Sequence, residues 1–259
     1  MKSKQNRPRA RIDQALVDRG CCESRELAQR AVLAGTVRIN DRVARKSSEP
    51  VRPSDVISIE TPQKYVSRGG LKLEHAINEF SLDVRGMVAI DVGASTGGFT
   101  DCLLQFGATQ VYAVDVGRGQ LAWRLRHDSR VIVMEKVNAR NLRAELFSRS
   151  FKPVDLAVMD CSFISVTKIL PRLGSLVRAS GRIIALIKPQ FEAGKAEVDR
   201  GAGVITDPAI HLRVLREIQQ FIKTVPELEW KGSTESPLIG PAGNKEFLVL
   251  LSKRESSGA

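Results

Sequence analysis

Apolar residues recur at helical spacing in two short stretches near the start of the chain. The first stretch contains Ile12, Ala15 and Leu16, and the second contains apolar residues between positions 27 and 32. Positions three and four residues apart lie on one face of a helix, so each stretch predicts a short amphipathic helix. Gly20 can end the first helix, because glycine readily adopts the left-handed conformation that commonly follows a helix.

Cap and turn residues indicate where the second helix begins and which elements come after it. Ser24 is suited to N-cap that helix. Beyond the helix, the alternating segments 37–40 and 56–59 predict two short strands, and Asn40-Asp41 predicts a turn. The order is two helices and then short strands, which predicts a small α+β unit.

From residue 86 onward the pattern changes to apolar runs separated by helix-like stretches. Five such runs predict buried strands: 87–90, 111–114, 131–134, 156–159 and 183–187. Strands that alternate with helices form a mostly parallel sheet with helices on both faces. A further apolar run near the end of the chain, 247–251, predicts a last strand. The chain is therefore predicted to be an α/β protein preceded by the small α+β unit.

Four of the five runs are followed by a charged residue. Asp91, Asp115, Asp160 and Lys188 come directly after the first, second, fourth and fifth runs. The carboxyl ends of parallel strands lie along one edge of a sheet, where open α/β folds bind their ligands. A charge at the end of a buried strand is unfavourable unless it has a partner. One such residue can be accidental, whereas four predict a functional site.

The loop after the first run is rich in glycine and carries a carboxylate. Gly93, Gly97 and Gly98 permit a tight turn and the close approach of a ligand to the backbone. Their Gly-x-x-x-Gly-Gly spacing differs from the Gly-x-Gly-x-x-Gly of dinucleotide-binding enzymes, and Asp91 would repel a pyrophosphate. The same carboxylate attracts a sulfonium ligand that bears an α-amino group. The loop therefore favours a sulfonium methyl donor over NAD.

Two further polar residues are candidates for contacts with a nucleoside. Asp115 lies 24 residues after Asp91, where an acidic side chain can accept both hydroxyl groups of a ribose. Asn138 follows the third run and could hydrogen-bond an adenine edge. A role as an ordinary turn residue explains the position of Asn138 equally well.

The charge of the chain favours a polyanionic partner. Its 259 residues include 40 Lys plus Arg and 29 Asp plus Glu, a net charge of +11, and 42% of the residues are hydrophobic. Residues 1–60 hold 13 basic and 8 acidic residues and so carry +5, while the other 199 residues carry +6. This balance favours nucleic acid or an anionic membrane, although a basic soluble enzyme without such a partner is the alternative.

The sequence predicts no export signal, membrane span or metal site. No run approaches the roughly 18 apolar residues of a spanning helix, and no apolar run of signal-peptide length follows the basic start. The four cysteines lack Cys-x-x-Cys pairs and metal-ligand spacing, so we interpret them as inert thiols. We therefore expect a cytoplasmic protein that holds no metal and has no membrane partner.

Two segments of the front part, 11–16 (RIDQAL) and 34–40 (AGTVRIN), carry a recognisable pattern. With the helix–helix–strand order, they make residues 9–60 resemble the S4 RNA-binding domain. In that family basic residues on the paired helices face folded RNA. The resemblance implies an RNA-binding role for four arginines: Arg11, Arg25, Arg30 and Arg38. Each one alone is more simply explained as a solvated surface charge, but the cluster favours phosphate contacts.

The larger part carries a second recognisable pattern. Its motifs are 65–72 (YVSRGGLK), 91–100 (DVGASTGGFT), 114–123 (VDVGRGQLAW), 160–165 (DCSFIS) and 188–192 (KPQFE). On these motifs, residues 65–251 resemble the FtsJ-like 2′-O-methyltransferases. The whole chain resembles the TlyA family of ribosomal RNA methyltransferases, some of which are known as hemolysins. The resemblance implies an S4-like domain over 1–60, a linker over 61–64, and a Rossmann-like class I methyltransferase domain over 65–259.

The resemblance also implies S-adenosylmethionine as the cofactor and a catalytic tetrad. Carried onto this sequence, the tetrad is Lys72, Asp160, Lys188 and Glu246, with no member missing. The residues implied to bind the cofactor are Asp91, Gly93, Ser95, Gly97, Gly98, Phe99, Asp115 and Asn138. Taken singly, Lys72 and Glu246 are also explained as solvated charges, whereas Asp160 and Lys188 lie at the predicted functional edge.

The tetrad suits methyl transfer to a ribose 2′-hydroxyl. That hydroxyl is a poor nucleophile at neutral pH, and its oxygen must lie in line with the sulfonium carbon. Lys188 could accept the proton or stabilise the developing alkoxide. Asp160 would orient Lys188, and Glu246 would hold Lys72 or the ribose. This chemistry requires no metal.

The predicted function is 2′-O-methylation of ribosomal RNA, and the resemblance implies cytidine in 16S or 23S ribosomal RNA as the target. No DNA partner is expected. One alternative is a non-catalytic RNA-binding or ribosome-assembly factor, against which the intact tetrad speaks. Another is a pore-forming hemolysin, which the lack of a signal peptide and of a membrane segment disfavours.

Overall fold

The computed structural model describes residues 9–60 and 63–255. The chain divides into two compact units, Met1–Gln63 and Lys64–Ala259, and each is described by itself. Of the predicted linker, residues 61 and 62 lie outside the described residues. Residues 1–8 and 256–259, which belong to the two predicted domains, also lie outside them.

Among its described residues, the first unit contains two helices and two small antiparallel sheets. Its helices are α1 (Ile12–Asp18) and α2 (Arg25–Leu33). Its strands are β1 (Ala10–Arg11), β2 (Val37–Ile39), β3 (Arg42–Val43), β4 (Pro50–Val51) and β5 (Ile57–Ile59). One sheet has the order β3-β2-β5, and β1 pairs with β4. Apolar side chains of both helices and of β2 pack together as the core of this unit.

Local sequence explains how these elements begin and connect. The hydroxyl oxygen of Ser24 accepts a hydrogen bond from the backbone N–H of Leu27 at 3.2 Å, so Ser24 caps α2 as predicted. Asn40 and Asp41 have φ angles of 47° and 65° between β2 and β3. A tight hairpin turn requires such angles, and Asn and Asp tolerate them better than most residues.

The second unit contains seven helices and seven strands among the described residues. The helices are α3 (Gly69–Glu79), α4 (Gly98–Gln105), α5 (Trp123–Arg126), α6 (Leu170–Leu176), α7 (Pro189–Glu192), α8 (Lys195–Arg200) and α9 (Pro208–Lys223). The strands are β6 (Val88–Val92), β7 (Gln110–Val114), β8 (Val131–Met134), β9 (Val154–Met159), β10 (Val177–Ile187), β11 (Leu228–Glu235) and β12 (Phe247–Lys253). Three short 3-10 helices lie at Ala139–Asn141, Ala144–Leu146 and Val166–Lys168.

These strands form one mostly parallel sheet, as the sequence predicts. The order is β11-β12-β10-β9-β6-β7-β8. The five strands from β10 to β8 are parallel to one another, whereas β12 pairs antiparallel with both β10 and β11. Every predicted strand is present. Strand β11 was not predicted: it lies at the edge of the sheet, and much of it faces solvent, so polar residues interrupt its apolar pattern.

The sheet separates two apolar clusters, and this arrangement fixes the direction of Asp91. Ile90 and Val92 of β6 pack in one cluster, while Ala89 packs in the other cluster with residues of α4. Successive side chains of a strand point to opposite faces, so Asp91 shares the face of Ala89. The side chain of Asp91 therefore points towards α4.

Helix α9 covers part of the sheet with an amphipathic face. Asp207 accepts a hydrogen bond from the backbone N–H of Ala209 and caps the helix, and Pro208 occupies its first turn. Four residues spaced by three or four positions are buried: His211, Val214, Ile218 and Ile222. In the described part of the chain, no helix has the length and apolar character needed to cross a membrane.

Candidate active site

The carboxyl ends of four parallel strands carry the charged residues that the sequence singled out. Asp115 follows β7, Asp160 follows β9 and Lys188 follows β10. Asp91 differs slightly from the prediction, because it lies inside β6, where its backbone pairs with the neighbouring strands on both sides. The ammonium nitrogen of Lys188 lies 2.6 Å from Oδ1 of Asp160, so adjacent strand ends form an ion pair at this edge.

The glycine-rich loop between β6 and α4 brings backbone close to the site. Gly93 has φ of 85°, and a Cβ atom there would lie 2.5 Å from the backbone oxygen of Asp160. Ser95 has φ of 48°, and its backbone N–H donates to Oδ2 of Asp115 at 2.8 Å. Gly97, with φ of 100°, is the N-cap residue of α4. Gly93 therefore cannot be replaced by a larger residue without displacing the Asp160 strand end.

Asp91 is a fully buried carboxylate, and only one of its two oxygens accepts a hydrogen bond from a described side chain. The hydroxyl of Thr100 in α4 donates to Oδ2 at 2.6 Å. Among the described residues, Oδ1 has no hydrogen-bond partner. Burial raises the pKa of Asp91 to about 7, and the carboxylates of Asp160 and Asp115 contribute in the same direction. A cation beside Oδ1 would relieve this unfavourable burial.

A cavity of about 570 Å³ lies at the ends of β6, β7 and β9 and at the loop after β8. Asp115 lines it, and its two oxygens each accept one backbone hydrogen bond, from Ser95 at 2.8 Å and from Gly117 at 2.6 Å. Each carboxylate oxygen retains a second lone pair for a ligand hydroxyl. Asn138 also lines the cavity, and its Oδ1 caps a 3-10 helix by accepting from the N–H of Arg140 at 3.0 Å. Asn138 therefore does act as a turn residue, which was the alternative explanation of its position in the sequence.

A second cavity of about 340 Å³ lies beside the first and shares Gly93, Ser95 and Asp160 with it. Its lining includes Lys72 and, from the start of α4, Gly98 and Phe99. Lys72 projects from α3 and forms an ion pair with Glu246, which precedes β12. The side chains of Lys72 and Glu246 are 8% and 2% exposed, so this ion pair is buried and not solvated.

Two members of the predicted tetrad therefore line this second cavity, and the other two contact them. Lys72 and Asp160 line it, Glu246 holds Lys72, and Lys188 contacts Asp160. Two lysines and two carboxylates thus form two ion pairs around one space. Such an arrangement can bind a polar oxygen, exchange its proton and stabilise negative charge on it.

Sequence reasoning missed Ser162, which contacts the second lysine. The ammonium of Lys188 donates a hydrogen bond to Oγ of Ser162 at 2.9 Å. Oδ1 of Asp160 accepts no well-aligned hydrogen bond from a described residue, so its contact with Lys188 is an ion pair. Ser162 belongs to the motif 160–165, but nothing in its spacing indicated a contact with Lys188.

An aromatic and basic surface adjoins the first cavity, and sequence reasoning missed it too. Phe163 is 88% exposed, has φ of 63° and lies 5.1 Å from the ring of Phe191. A third cavity beside it is lined by three basic residues, Arg140, Lys168 and Lys195. None of the three forms an ion pair with a residue that the structure describes. An exposed ring beside unpaired cations suits a nucleic acid strand.

The four arginines predicted to bind RNA lie in the first unit, and all four form ion pairs within it. Arg11 and Arg25 lie 2.9 and 3.1 Å from Oδ2 of the buried Asp13. Arg30 pairs with Glu26, and Arg38 pairs with Glu60, each at 2.5 Å. Their guanidinium groups remain partly exposed, so these pairs orient the arginines without removing them from the surface.

Several other basic residues of the first unit form no ion pair with a described residue, and two of them lie side by side in the sequence. Arg45 and Lys46 line a cavity of about 530 Å³ next to β4, and both are exposed. Neither side chain forms an ion pair with another residue in the described ranges. Sequence reasoning did not single out these two residues, because a sequence does not show which basic side chains form ion pairs.

Comparisons with known proteins agree with this geometry. The FtsJ-like methyltransferase family matches residues 65–253, and the S4 domain matches residues 10–57. The 16S/23S rRNA (cytidine-2′-O)-methyltransferase TlyA of Mycobacterium tuberculosis is 43% identical over 247 residues, which cover 94% of this chain and 90% of that protein.

Solved structures agree as well. A protein of Streptococcus thermophilus described as a candidate hemolysin is 42% identical, with a TM-score of 0.71 over 96% of this chain and 90% of that chain. A candidate S-adenosylmethionine-dependent methyltransferase of Listeria monocytogenes is 16% identical, with a TM-score of 0.52 over 73% of this chain and 100% of that chain. This second likeness shows the fold alone.

The matches confirm the predicted fold, a class I methyltransferase sheet in a chain that begins with an S4 domain. They also confirm that the chain is an enzyme of the methyltransferase class. The chain therefore belongs to the FtsJ-like methyltransferase family and, within it, to the S4-containing group that includes TlyA.

Proposed function

We propose that this methyltransferase transfers a methyl group from S-adenosylmethionine to the 2′-hydroxyl of a cytidine ribose in ribosomal RNA. The observation that carries the proposal is the pair of lysine–carboxylate contacts, Lys188–Asp160 and Lys72–Glu246, around one cavity beside the glycine-rich loop. The name of the Mycobacterium tuberculosis relative supplies the cytidine target and the two ribosomal RNAs. The S4 domain supports RNA as the substrate.

The residues at the first cavity fit S-adenosylmethionine. Asp91 directly precedes Val92, which lines this cavity, and Oδ1 of Asp91 is a buried acceptor without a hydrogen-bond donor among the described residues, which suits a ligand that carries cationic groups. The volume of about 570 Å³ is within the range of small-molecule sites. Asp115 would accept from the ribose hydroxyls of the ligand, and Asn138 retains its amide group for an adenine edge.

The backbone of the glycine-rich loop completes this cofactor site. Gly93, Ser95, Gly97, Gly98 and Phe99 would form its wall, and the lack of a Cβ atom at Gly93 lets this loop pack against the backbone of Asp160. When bound, S-adenosylmethionine supplies a methyl group on a positively charged sulfur. The attraction between that charge and the carboxylates of Asp91 and Asp160 would help to hold the donor at this edge.

The tetrad would act on the ribose hydroxyl. As a neutral amine, Lys188 would accept the proton of the 2′-hydroxyl; as an ammonium, it would stabilise the negative charge that develops on the hydroxyl oxygen. Asp160 and Ser162 would keep the ammonium of Lys188 directed towards that oxygen. Lys72, held by Glu246, would contribute a second positive charge to the lining of the cavity.

Two basic surfaces would bind the RNA. In the first unit these are the paired arginines Arg11, Arg25, Arg30 and Arg38, together with the unpaired Arg45 and Lys46. In the second unit, Phe163 would stack on a base while Arg140, Lys168 and Lys195 contact phosphates. A protein with this substrate would work in the cytoplasm on ribosomal subunits, with no DNA or membrane partner.

Transfer of a labelled methyl group tests the proposal. The purified protein is incubated with labelled S-adenosylmethionine and with unmodified 16S or 23S ribosomal RNA, free and in subunits. The RNA is then digested to nucleosides, and the labelled product is identified by mass spectrometry. We expect label in 2′-O-methylcytidine.

Two outcomes would contradict the proposal. Label confined to a methylated base would show that the tetrad does not act on ribose. Absence of label, with normal RNA binding, would favour the alternative of a non-catalytic RNA-binding factor.

A further inference from the structure

Glu192 is a half-buried acid that the proposed reaction does not use. It is the last residue of α7 and lies four positions after Lys188. The hydroxyl of Ser165 donates to its Oε2 at 2.6 Å, and the backbone N–H of Val166 donates to its Oε1 at 2.8 Å. Burial raises the pKa of Glu192, while these two hydrogen bonds act in the opposite direction.

These contacts join the two chain segments that carry Asp160 and Lys188. One segment runs from Asp160 at the end of β9 to Val166, and the other from Lys188 at the end of β10 to Glu192. At one end, Lys188 contacts Asp160 and Ser162; at the other end, Glu192 holds Ser165 and Val166. The two segments therefore contact each other at both of their ends, through Lys188 at one end and through Glu192 at the other.

The part of the first segment that lies between these two sets of contacts has an unfavourable backbone conformation, which the contacts stabilise. It contains Phe163, a bulky residue with φ of 63°. This conformation is unfavourable for a residue with a side chain and persists only where the surroundings fix it. Ser165 adds to the fixation, because its Oγ also accepts from the backbone N–H of Thr167 and so begins the 3-10 helix Val166–Lys168.

We propose that Glu192 is a positioning residue for methyl transfer, which acts by holding Ser165 and Val166 so that Asp160 and Ser162 keep Lys188 in its reactive orientation. An ammonium group has three N–H donors. Asp160 and Ser162 restrain the group from two sides, and a donor remains for the substrate oxygen. This inference rests on the proposed function.

Two substitutions of Glu192 separate positioning from charge. In Glu192→Gln the amide oxygen can accept from Val166, and the amide N–H can donate to Oγ of Ser165, so both contacts survive without the charge. Glu192→Ala removes both hydrogen bonds. Small misplacements of reacting groups lower rates strongly, so we expect kcat for labelled methyl transfer to fall by about 10- to 100-fold in Glu192→Ala, with little change in KM for RNA. Glu192→Gln should restore kcat to within about threefold of the wild type.

A double-mutant cycle with Ser165 tests whether the contact itself matters. Ser165→Ala removes the hydroxyl, so it should lower kcat in the same direction, and the double variant should be no slower than Glu192→Ala alone. Glu197→Ala is the matched control. Glu197 likewise accepts from a backbone N–H, that of Gly194 at 3.1 Å, and it also pairs with Arg213. It contacts neither segment of the site.

The outcomes discriminate between the proposals. Wild-type kcat in a folded Glu192→Ala protein, or effects of Glu192→Ala and Ser165→Ala that simply add, would overturn the positioning role and leave the proposed function intact. If Glu192→Ala fails to fold, unchanged kcat in Ser165→Ala overturns the role by itself. An inactive wild-type enzyme would overturn both proposals.

Discussion

The buried pair of Lys72 and Glu246 shows how single residues of the site relate to stability. Both side chains are almost completely removed from water. Taking two charges out of water is unfavourable, and an apolar pair of similar volume is often as stable. Stability alone therefore does not explain why the fold buries these charges, and we attribute them to the proposed chemistry.

Removal of one partner should destabilise the protein strongly. Lys72→Ala leaves Glu246 as an uncompensated buried charge, so we expect the free energy of unfolding to fall by about 3–5 kcal/mol. The double variant Lys72→Met/Glu246→Leu, which leaves no unpaired charge, should regain most of this loss but remain inactive. Denaturant unfolding and labelled methyl transfer measure the two effects. Activity in the double variant would contradict a chemical role for the pair.

Asp91 predicts a pH dependence of cofactor binding. The pKa of Asp91 is raised from an ordinary value of 3.8 to about 7, so without ligand the native state binds a proton that the unfolded state has already lost. The contribution of Asp91 to stability therefore falls as the pH rises from about 4 to 7. A cationic ligand needs the ionised carboxylate, so the Kd for S-adenosylmethionine should rise by up to about tenfold per pH unit below 7.

Calorimetric titration between pH 6 and 8 checks this expectation. Asp91→Asn should bind more weakly, and its affinity should be independent of pH over the same range. A wild-type Kd that does not change with pH would contradict the assignment of Asp91 to the cofactor site.

At the residue scale, the sequence predicts the charged residues at the strand ends, but it does not predict the contacts and backbone conformations of the loops that follow them. Asp160 and Lys188 were predicted to share a site because parallel strands end at one edge, and they lie in contact. The contact of Ser162 with Lys188 and the left-handed backbone of Phe163 depend on how two loops fold against each other. No periodicity in the sequence encodes those features.

At the scale of elements, the central strands were predicted because they are buried on both faces. Their sequences are continuous apolar runs, as in β7, where the predicted run 111–114 and the observed strand Gln110–Val114 end at the same residue. The missed strand, β11, depends on pairing with β12, and its exposed face reads as a polar segment. The limits of β6 also shifted, because Asp91 interrupts the apolar run although its backbone continues the sheet.

In the first unit, the buried carboxylate of Asp13 in α1 accepts hydrogen bonds from side chains of α2, so it should stabilise the packing of the two helices. Asp13 is fully buried and accepts from Arg11, Arg25 and Gln29, as well as from the backbone N–H of Gln14. The hydrogen bond from Arg11 is the largest cause that holds the pKa of Asp13 well below its usual range. The stability that this carboxylate contributes is therefore present above its ordinary pKa and disappears as the pH falls.

Asp13→Asn removes the charge and part of the accepting capacity. We expect the free energy of opening of α1 and α2 to fall by about 1.5–3 kcal/mol, the range for hydrogen bonds to a charged group. Hydrogen exchange of these helices in the full chain measures the decrease. Asp18→Asn, in the same helix, is the control, because Asp18 is exposed and accepts one bond from Gln14. Equal protection in the two variants would contradict a stabilising role for the buried carboxylate.

At the scale of the whole molecule, net charge predicted the class of partner but not the contacts. The +11 charge favours RNA, yet all four arginines chosen from the sequence form ion pairs inside the first unit. Arg45 and Lys46, which the sequence did not single out, are adjacent basic residues that form no ion pair with a described residue. Whether a basic residue forms an ion pair depends on which acidic residues the fold places near it.

Arg45 and Lys46 should therefore contribute to the salt dependence of RNA binding. The slope of log K against log salt falls by about 1 for each phosphate contact that a substitution removes. We expect Arg45→Gln/Lys46→Gln to lower the slope by about 2. The control Arg216→Gln/Lys223→Gln removes the same charge from α9, which supplies none of the proposed RNA contacts, and should change the slope by much less. Equal slopes in the two variants would show that only net charge matters.

The most direct test of the central claim is single-turnover methylation of ribosomal RNA by Lys188→Ala. We predict that methyl transfer to the ribose 2′-oxygen slows by about 10²–10⁴-fold, because a positioned acid–base group is removed, while the Kd for S-adenosylmethionine stays close to that of the wild type. The control Lys231→Ala, an exposed lysine paired with Glu229, should react at the wild-type rate. Near-normal methyl transfer by Lys188→Ala would contradict the catalytic role of Lys188.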